Sequence, residues 1–228
     1  MPSRTLASLN RRIAACTRCP RLADYVASFG DDPAYWARPV PGFGDPRATL
    51  LVLGLAPGAH GANRTGRPFT GDAAGKFLYR ALHEIGCSPC AESLATDDGL
   101  VLRGAYISNA VRCVPPQNKP TGPEVTECAP WLEDELKLLP HLRVVVALGK
   151  IAHDTFLRFA KRTGAIHRLA DFKFAHAAVH DLGRTLPTLV DTYHSSRYNV
   201  NVGKLTWPMF KNVFEIARDL ADRTADTG

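Results

Sequence analysis

A run of apolar, partly β-branched residues, Thr49 to Leu53, passes directly into a glycine-rich stretch, GLAPGAHGANRTGRPFTGD, from Gly54 to Asp72, and this into an amphipathic helical pattern. No other feature restricts the chain as much. It predicts a buried strand joined to a helix by a long loop, and a loop of that length inside a compact domain is usually functional. Gly54, Gly58, Gly61, Gly66 and Gly71 let backbone approach a ligand closely, while Arg64 and Arg67 offer charge to phosphates. Phe69 is the one large aromatic, with no evident packing partner in so polar a loop. The bland alternative is a solvent-exposed connection with Phe69 tucked into the core.

Ser3 to Ala15 carries Leu6, Leu9 and Ile13 at helical spacing and runs into Cys16-Thr-Arg-Cys19-Pro20. Residues 29–47 hold Pro33, Pro39, Pro41 and Pro46 with three glycines, and predict an extended surface loop anchored by Tyr35 and Trp36. Asp72 stands where an N-cap belongs, and Phe77, Leu78, Ala81, Leu82 and Ile85 form one apolar face that ends at Gly86. Cys87 and Cys90 follow in GCSPC, and a polar segment runs from Ala91 to Asp98. LVLRGAYISNAVRC, residues 100–113, predicts a strand that delivers Asn109 and Cys113 at its C-terminal end. After Pro115, Pro116 and Pro120, Pro123 opens a helix that carries Cys128 and reaches about Leu139. Arg143 to Leu148 reads as a buried strand with a helix starting at Gly149, Leu186 to Tyr193 as the last strand, ending at His194, and Thr206 as the cap of a final helix. Residues 160–184 have no strong period beyond a short strand near Ala175.

Strands alternating with helices imply a mainly parallel sheet with helices on both faces, and ligands bind such sheets beyond the C-terminal ends of the strands. The long loop, Asn109 and His194 each follow a strand. Three separated segments are therefore expected to meet at one edge.

At 228 residues, with 45% hydrophobic and 22% charged, the chain reads as one soluble globular domain. A formal charge of +6 favours an anionic partner, nucleic acid before membrane, because no basic amphipathic helix stands out. No apolar run reaches transmembrane length and no signal sequence precedes the first helix, which makes a cytosolic protein the expectation. Six cysteines in a reducing compartment then read as metal ligands or plain thiols. Two pairings compete for a metal: Cys16 and Cys19 with Cys87 and Cys90, in the manner of a zinc ribbon, or Cys16 and Cys19 with Cys113 and Cys128, which suits a buried four-thiolate cluster. Spacing leaves the choice open.

With these residues in view the chain resembles the uracil-DNA glycosylase superfamily, and most closely its family 5, the type B enzymes of bacteria and archaea. GLAPGAHGANRTGRPFTGD, the strand end YISNAVRC with its following PPQNKPT, and TYHSSRYNVNVGKLT at residues 192–206 carry the likeness. It implies a single-domain, three-layer α/β/α sandwich around a central, mainly parallel sheet over residues 1–228, with 224–228 a flexible tail. It also implies a 4Fe-4S cluster on Cys16, Cys19, Cys113 and Cys128, with Cys87 and Cys90 as extra thiols. The family pattern puts Phe69 against a flipped base, Asn109 on its Watson-Crick edge, and His194 near its O2. Gly54, Leu55 and Ala56 are expected to line the base, and Arg64, Arg67, Ser196, Arg197 and Lys204, in or beside these loops, to contact the DNA on either side of it.

Three departures from the wider superfamily matter. Ala56 stands where most other branches carry an acidic or amide residue for the attacking water, so the nearest acid is Asp72, at the end of the same loop. Gly58 replaces a bulky ring that rejects thymine's methyl, which implies a roomier pocket and tolerance of other deaminated bases such as hypoxanthine. Ser195 stands in place of a common proline and leaves its loop less constrained. The expectation is a monomeric, monofunctional DNA repair hydrolase of bacterial or archaeal cytoplasm, acting on DNA that contains uracil or other deaminated bases, with no membrane partner. A non-enzymatic nucleic-acid-binding module with a structural Cys-metal cluster is the alternative of a different class. Asp72 as a mere N-cap and Asn109 as a strand-end backbone partner are the bland readings of the site.

Overall fold

The computed structural model describes residues 5–223. Ser3 and Arg4, at the start of the first helical pattern, and the tail expected over 224–228 lie outside them. The chain opens with α1 (Leu6–Ala14), capped by the Thr5 hydroxyl, and α2 (Pro20–Ala27), and then reaches β1 (Phe43–Gly44) and β2 (Leu50–Gly54). A single helical turn, α3 (Ala62–Thr65), lies within the long loop, followed by α4 (Ala73–Glu84), β3 (Ala105–Asn109) and α5 (Gly122–Lys137). The last part comprises β4 (Val144–Leu148), α6 (Lys150–Arg162), β5 (Val179–His180), β6 (Thr188–Thr192), α7 (Arg197–Asn201) and α8 (Trp207–Arg223).

The six strands form one sheet in the order β1-β3-β2-β4-β6-β5, with the inner four parallel and both edges antiparallel. Alternation along the central strands assigns the two faces. Leu50 and Val52 of β2 and Val144 and Val146 of β4 pack with Leu78 and Leu82 of α4 and Phe210 and Phe214 of α8. Leu51, Leu53, Val145 and Ala147 point the other way, onto Leu132 of α5 and Phe156 of α6. A helix layer on each face makes this the expected three-layer α/β/α arrangement. A smaller apolar cluster joins Leu9 and Ile13 of α1, Leu22 of α2 and Trp131 of α5.

Several boundaries differ from those read in the sequence. The strand expected over 100–113 is confined to Ala105–Asn109, because Gly104 turns the chain at φ +67° with its N–H on Asp45 Oδ2, and after Asn109 the backbone leaves the sheet. Cys113 therefore stands in a loop beyond the strand. The short strand placed near Ala175 is instead Val179–His180, paired antiparallel with β6. Residues 29–47 contain β1, which pairs with β3 through Phe43↔Ile107. α2 follows the first cysteine pair with Pro20 in its first turn, where the missing N–H costs nothing.

Candidate active site

The C-terminal ends of β2, β3 and β6 open into a cleft of about 680 Å³, lined by the long loop, by Asn109 and by His194 and Arg197. This volume lies within the usual range for small-ligand sites, about 300–1,000 Å³. Gly54, the last residue of β2, stands opposite Asn109, the last of β3. A Cβ there would overlap Asn109 Oδ1 and the Phe69 ring, so only glycine allows both side chains at the strand ends. Asn109 is 1% exposed, and its Oδ1 has no hydrogen-bond partner among the described residues. A buried acceptor left unpaired costs about 1–3 kcal/mol and calls for a partner from outside the fold. Phe69 is held at φ +55°, an uncommon backbone state for a large side chain, with its ring 6.3 Å from that of His194.

Asp72 serves two directions at once. Its Oδ1 accepts the Gly75 N–H at 2.8 Å and caps α4. Its Oδ2 turns toward Gly61, where a Cβ would overlap it, and the residue lines the cleft. Burial raises its pKa above the ordinary aspartate range, against the backbone N–H groups of Gly75 and Ala74, which lower it. Burial also pushes the His194 pKa down to about 4, so its imidazole is neutral near pH 7 and available as a hydrogen-bond donor. Asn199 Nδ2 donates to the His194 backbone oxygen at 2.8 Å, and the buried Ser195 hydroxyl donates to the Ala74 oxygen at 3.2 Å. Ser195 thus ties the His194 loop to α4, a restraint that a proline there would have to supply through its ring.

The comparisons with known proteins bear on this arrangement. The family model described as the uracil DNA glycosylase superfamily matches residues 41–218. The type-5 uracil-DNA glycosylase of Thermus thermophilus is 51% identical over 92% of this chain and 95% of its own. The chain belongs to the uracil-DNA glycosylase superfamily, in its type-5 branch. The type-5 enzyme of Mycobacterium tuberculosis is 43% identical, covering 95% of this chain and 82% of that one, and that of Pyrobaculum aerophilum is 40% identical over 95% and 91%.

For this superfamily member the structure also sorts the cysteines. Cys16, Cys19, Cys113 and Cys128 line one small cavity between α1, α2, α5 and the loop after β3. Arg21 helps bring them together, since it binds both carboxylate oxygens of Glu124 at 2.7 Å and so fastens α2 to the first turn of α5. Cys87 is buried in the main core beside Arg218 instead, and Cys90 is exposed. Burial, followed by the neighbouring thiols, raises the Cys113 pKa. Burial, opposed by Arg112 and reinforced by Cys16 and Cys19, pushes Cys128 up to about 11. Four thiols gathered this way ionise readily only around a cation, and an all-thiolate donor set suits an iron-sulfur cluster.

The basic residues divide. Arg197 and Lys204 are exposed and have no carboxylate partner among the described residues. Ser196 accepts from the Asn199 N–H and caps α7, and Arg64 donates to the His60 oxygen from a half-buried position. Arg67, expected at the DNA backbone, is only 6% exposed and cannot reach it: Nη1 pairs with both oxygens of Asp98 at 2.7 and 2.9 Å, Nη2 donates to the Thr96 oxygen, and the guanidinium covers the Phe43 ring. Leu55 and Ala56 line the cleft as expected. His60 and Asn118 line it too and were not singled out in the sequence; His60 Nδ1 lies 2.6 Å from the Tyr35 hydroxyl. Its place within the glycine-rich motif was the one available signal. No described helix is long and apolar enough to cross a membrane.

Proposed function

We propose that this chain is a monofunctional DNA glycosylase that hydrolyses the N-glycosidic bond of uracil in DNA and leaves an abasic site. The observation that carries the proposal is the meeting in one cleft of a carboxylate, an unpaired amide oxygen and a neutral imidazole, on Asp72, Asn109 and His194. A base stacked in a duplex must rotate out to enter such a cleft, at a cost of a few kcal/mol that is lowest for a mispaired base. The Phe69 ring recovers part of this by stacking, and the Asn109 amide reads the base edge. As the C1′–N1 bond lengthens, positive charge gathers on the sugar and negative charge on the base. His194 donates a hydrogen bond to the developing O2 anion, while Asp72 Oδ2 stabilises the cationic sugar and orients the water. That water adds its oxygen to C1′, and its proton is balanced by protonation of the departing uracil anion. No lysine is among the residues that line the cleft, so none is placed to form a Schiff base and the reaction ends at the abasic site.

Incubation with a uracil-containing duplex followed by alkali tests the proposal. Strand breaks at the uracil position are expected. An intact strand with DNA still bound would favour the nucleic-acid-binding module. The glycine-lined cleft supports action on other deaminated bases, for which hypoxanthine opposite thymine is the matching substrate.

The pH profile separates the two ionisable groups. Asp72 acts as an anion, so activity is present above its raised pKa and falls as pH drops through it. His194, with a pKa of about 4, stays neutral through the assay range and adds no limb between about pH 5 and 8. The acid limb of single-turnover rates should therefore lie above the ordinary aspartate value and vanish in Asp72→Asn. A limb that persists in that variant would assign it to another group.

We further propose that Cys16, Cys19, Cys113 and Cys128 hold a 4Fe-4S cluster. When bound, it would supply a cross-link between the N-terminal helices, the loop after β3 and α5. Cys113→Ser should lose iron and near-visible absorption, and Cys87→Ser should keep both; the reverse pattern would reject the assignment.

Exposed Arg197 and Lys204 would release counterions on binding, and Arg197→Ala should lower the slope of log affinity against log salt by about one. Arg67→Ala should leave that slope unchanged and instead cost about 2 kcal/mol of stability, read from denaturant unfolding, because it removes the buried guanidinium's hydrogen bonds to Asp98, Ser93 and Thr96.

A further inference from the structure

Beneath β6, on the sheet face away from α8, a second set of chemically capable side chains converges. Asp191 is fully buried and takes an imidazole on each oxygen: His153 Nδ1, from α6, lies 2.8 Å from Oδ1, and His180 Nε2, from β5, lies 2.9 Å from Oδ2. The ligating atoms of all three lie within 4.8 Å of one another. The other nitrogen of His153, Nε2, lies 3.1 Å from the backbone oxygen of Phe172. A carbonyl oxygen only accepts, so Nε2 carries a proton. A neutral His153 would then aim the lone pair of Nδ1 at a carboxylate, and two acceptors at that distance repel. A proton or a metal ion belongs between them.

Several features favour the metal. Metal-bound histidines commonly donate their far N–H to a backbone carbonyl, which fixes the tautomer and ring plane as Phe172 does here. Two imidazoles and one carboxylate are a donor set that suits zinc-class ions. The rings of Phe174, 5.5 Å from His153, and Phe172, 5.9 Å from His180, screen the group from water. β5 has only two residues, too little ladder to secure the long excursion between α6 and β6 without another tie. We propose that His153, His180 and Asp191 form a structural site for a divalent zinc-class ion, which fastens α6 and β5 to β6. The site is separate from the proposed excision chemistry, although Asp191, in β6, precedes His194 by only three residues.

The test uses the purified full chain with its iron content intact, incubated with zinc chloride, dialysed, and assayed for zinc and iron separately by mass spectrometry. About one retained zinc per chain is expected, with a melting temperature several degrees higher. His180→Gln should retain none and show no shift, with iron content and uracil excision unaltered. X-ray absorption at the zinc edge of the unsubstituted chain does not depend on a variant folding. A first shell of nitrogen and oxygen near 2.0–2.1 Å supports the site, whereas sulfur near 2.3 Å would put the zinc on cysteines and overturn it. Loss of all zinc on dialysis, or equal retention in His180→Gln, would also overturn it and leave a proton shared between His153 and Asp191.

Discussion

Asp72→Asn is expected to slow single-turnover excision of uracil about a hundredfold or more while DNA affinity and melting temperature stay near those of the unsubstituted chain. The two oxygens of Asp72 make the separation achievable. Oδ1 holds the Gly75 N–H, and asparagine caps a helix about as well as aspartate, so α4 should still start at Ala73. Oδ2 carries the charge that faces the cleft, and the amide removes that charge without altering shape. Burial already works against ionisation of Asp72, so its neutral replacement should hold stability within about 1 kcal/mol. Single-turnover kinetics beside thermal melts and DNA titrations provide the check. A variant that cuts at nearly the normal rate would reduce Asp72 to a cap and send the search for the acid elsewhere.

Glu135→Ala should be the most damaging substitution to the fold outside the sheet, lowering unfolding free energy by about 3–5 kcal/mol. Glu135 and Arg112 are both 1% exposed and face each other through paired hydrogen bonds. The Ser108 hydroxyl donates to the same carboxylate at 2.6 Å, and the Tyr106 hydroxyl approaches it at 3.4 Å. Removal of the carboxylate strands the guanidinium in an apolar setting. The damage should spread, because the Arg112 backbone N–H donates to Cys128 Sγ at 3.3 Å and Arg112 follows Asn109 by three residues. A lower melting temperature, and loss of iron from the proposed cluster, are expected in the same variant. Glu135→Gln, which keeps the shape and part of the bonding, should fall between. Denaturant unfolding of the three proteins measures the difference, and an alanine variant as stable as the parent would show that the pair contributes little.

What the sequence revealed follows from which forces are local. β2 and β4 were legible because a strand buried on both faces is apolar at every position, and α4 because Asp72, its apolar stripe and Gly86 all lie within one short segment. β1 and β5 were not: two-residue edge strands exist through pairing with β3 and β6, and nothing in Phe43–Gly44 or Val179–His180 announces those partners. The short helices α3 and α7 fall below the length at which a period can be read. Arg67 was misread because an arginine in a polar loop looks the same whether it meets phosphate or a carboxylate 31 positions away. That Phe69, Asn109 and His194 line one cleft was legible because the long loop, the end of β3 and the segment after β6 all lie at the C-terminal edge of a parallel sheet.

The pairing of Gly54 with Asn109 across β2 and β3 also dictates where this chain can grow. Both residues end neighbouring parallel strands, and a residue inserted or deleted within either would shift its end by about 3.3 Å and turn the following side chain to the opposite face. The amide would then point into a helix layer. Length change is admissible instead in segments that leave the strand ends and the Arg67 clamp alone, such as exposed residues 183–185, where added residues cost little in loop closure. Lineages that lengthen or shorten this protein should do so there, with the spacing from Leu50 to Gly54 and from Ala105 to Asn109 held constant.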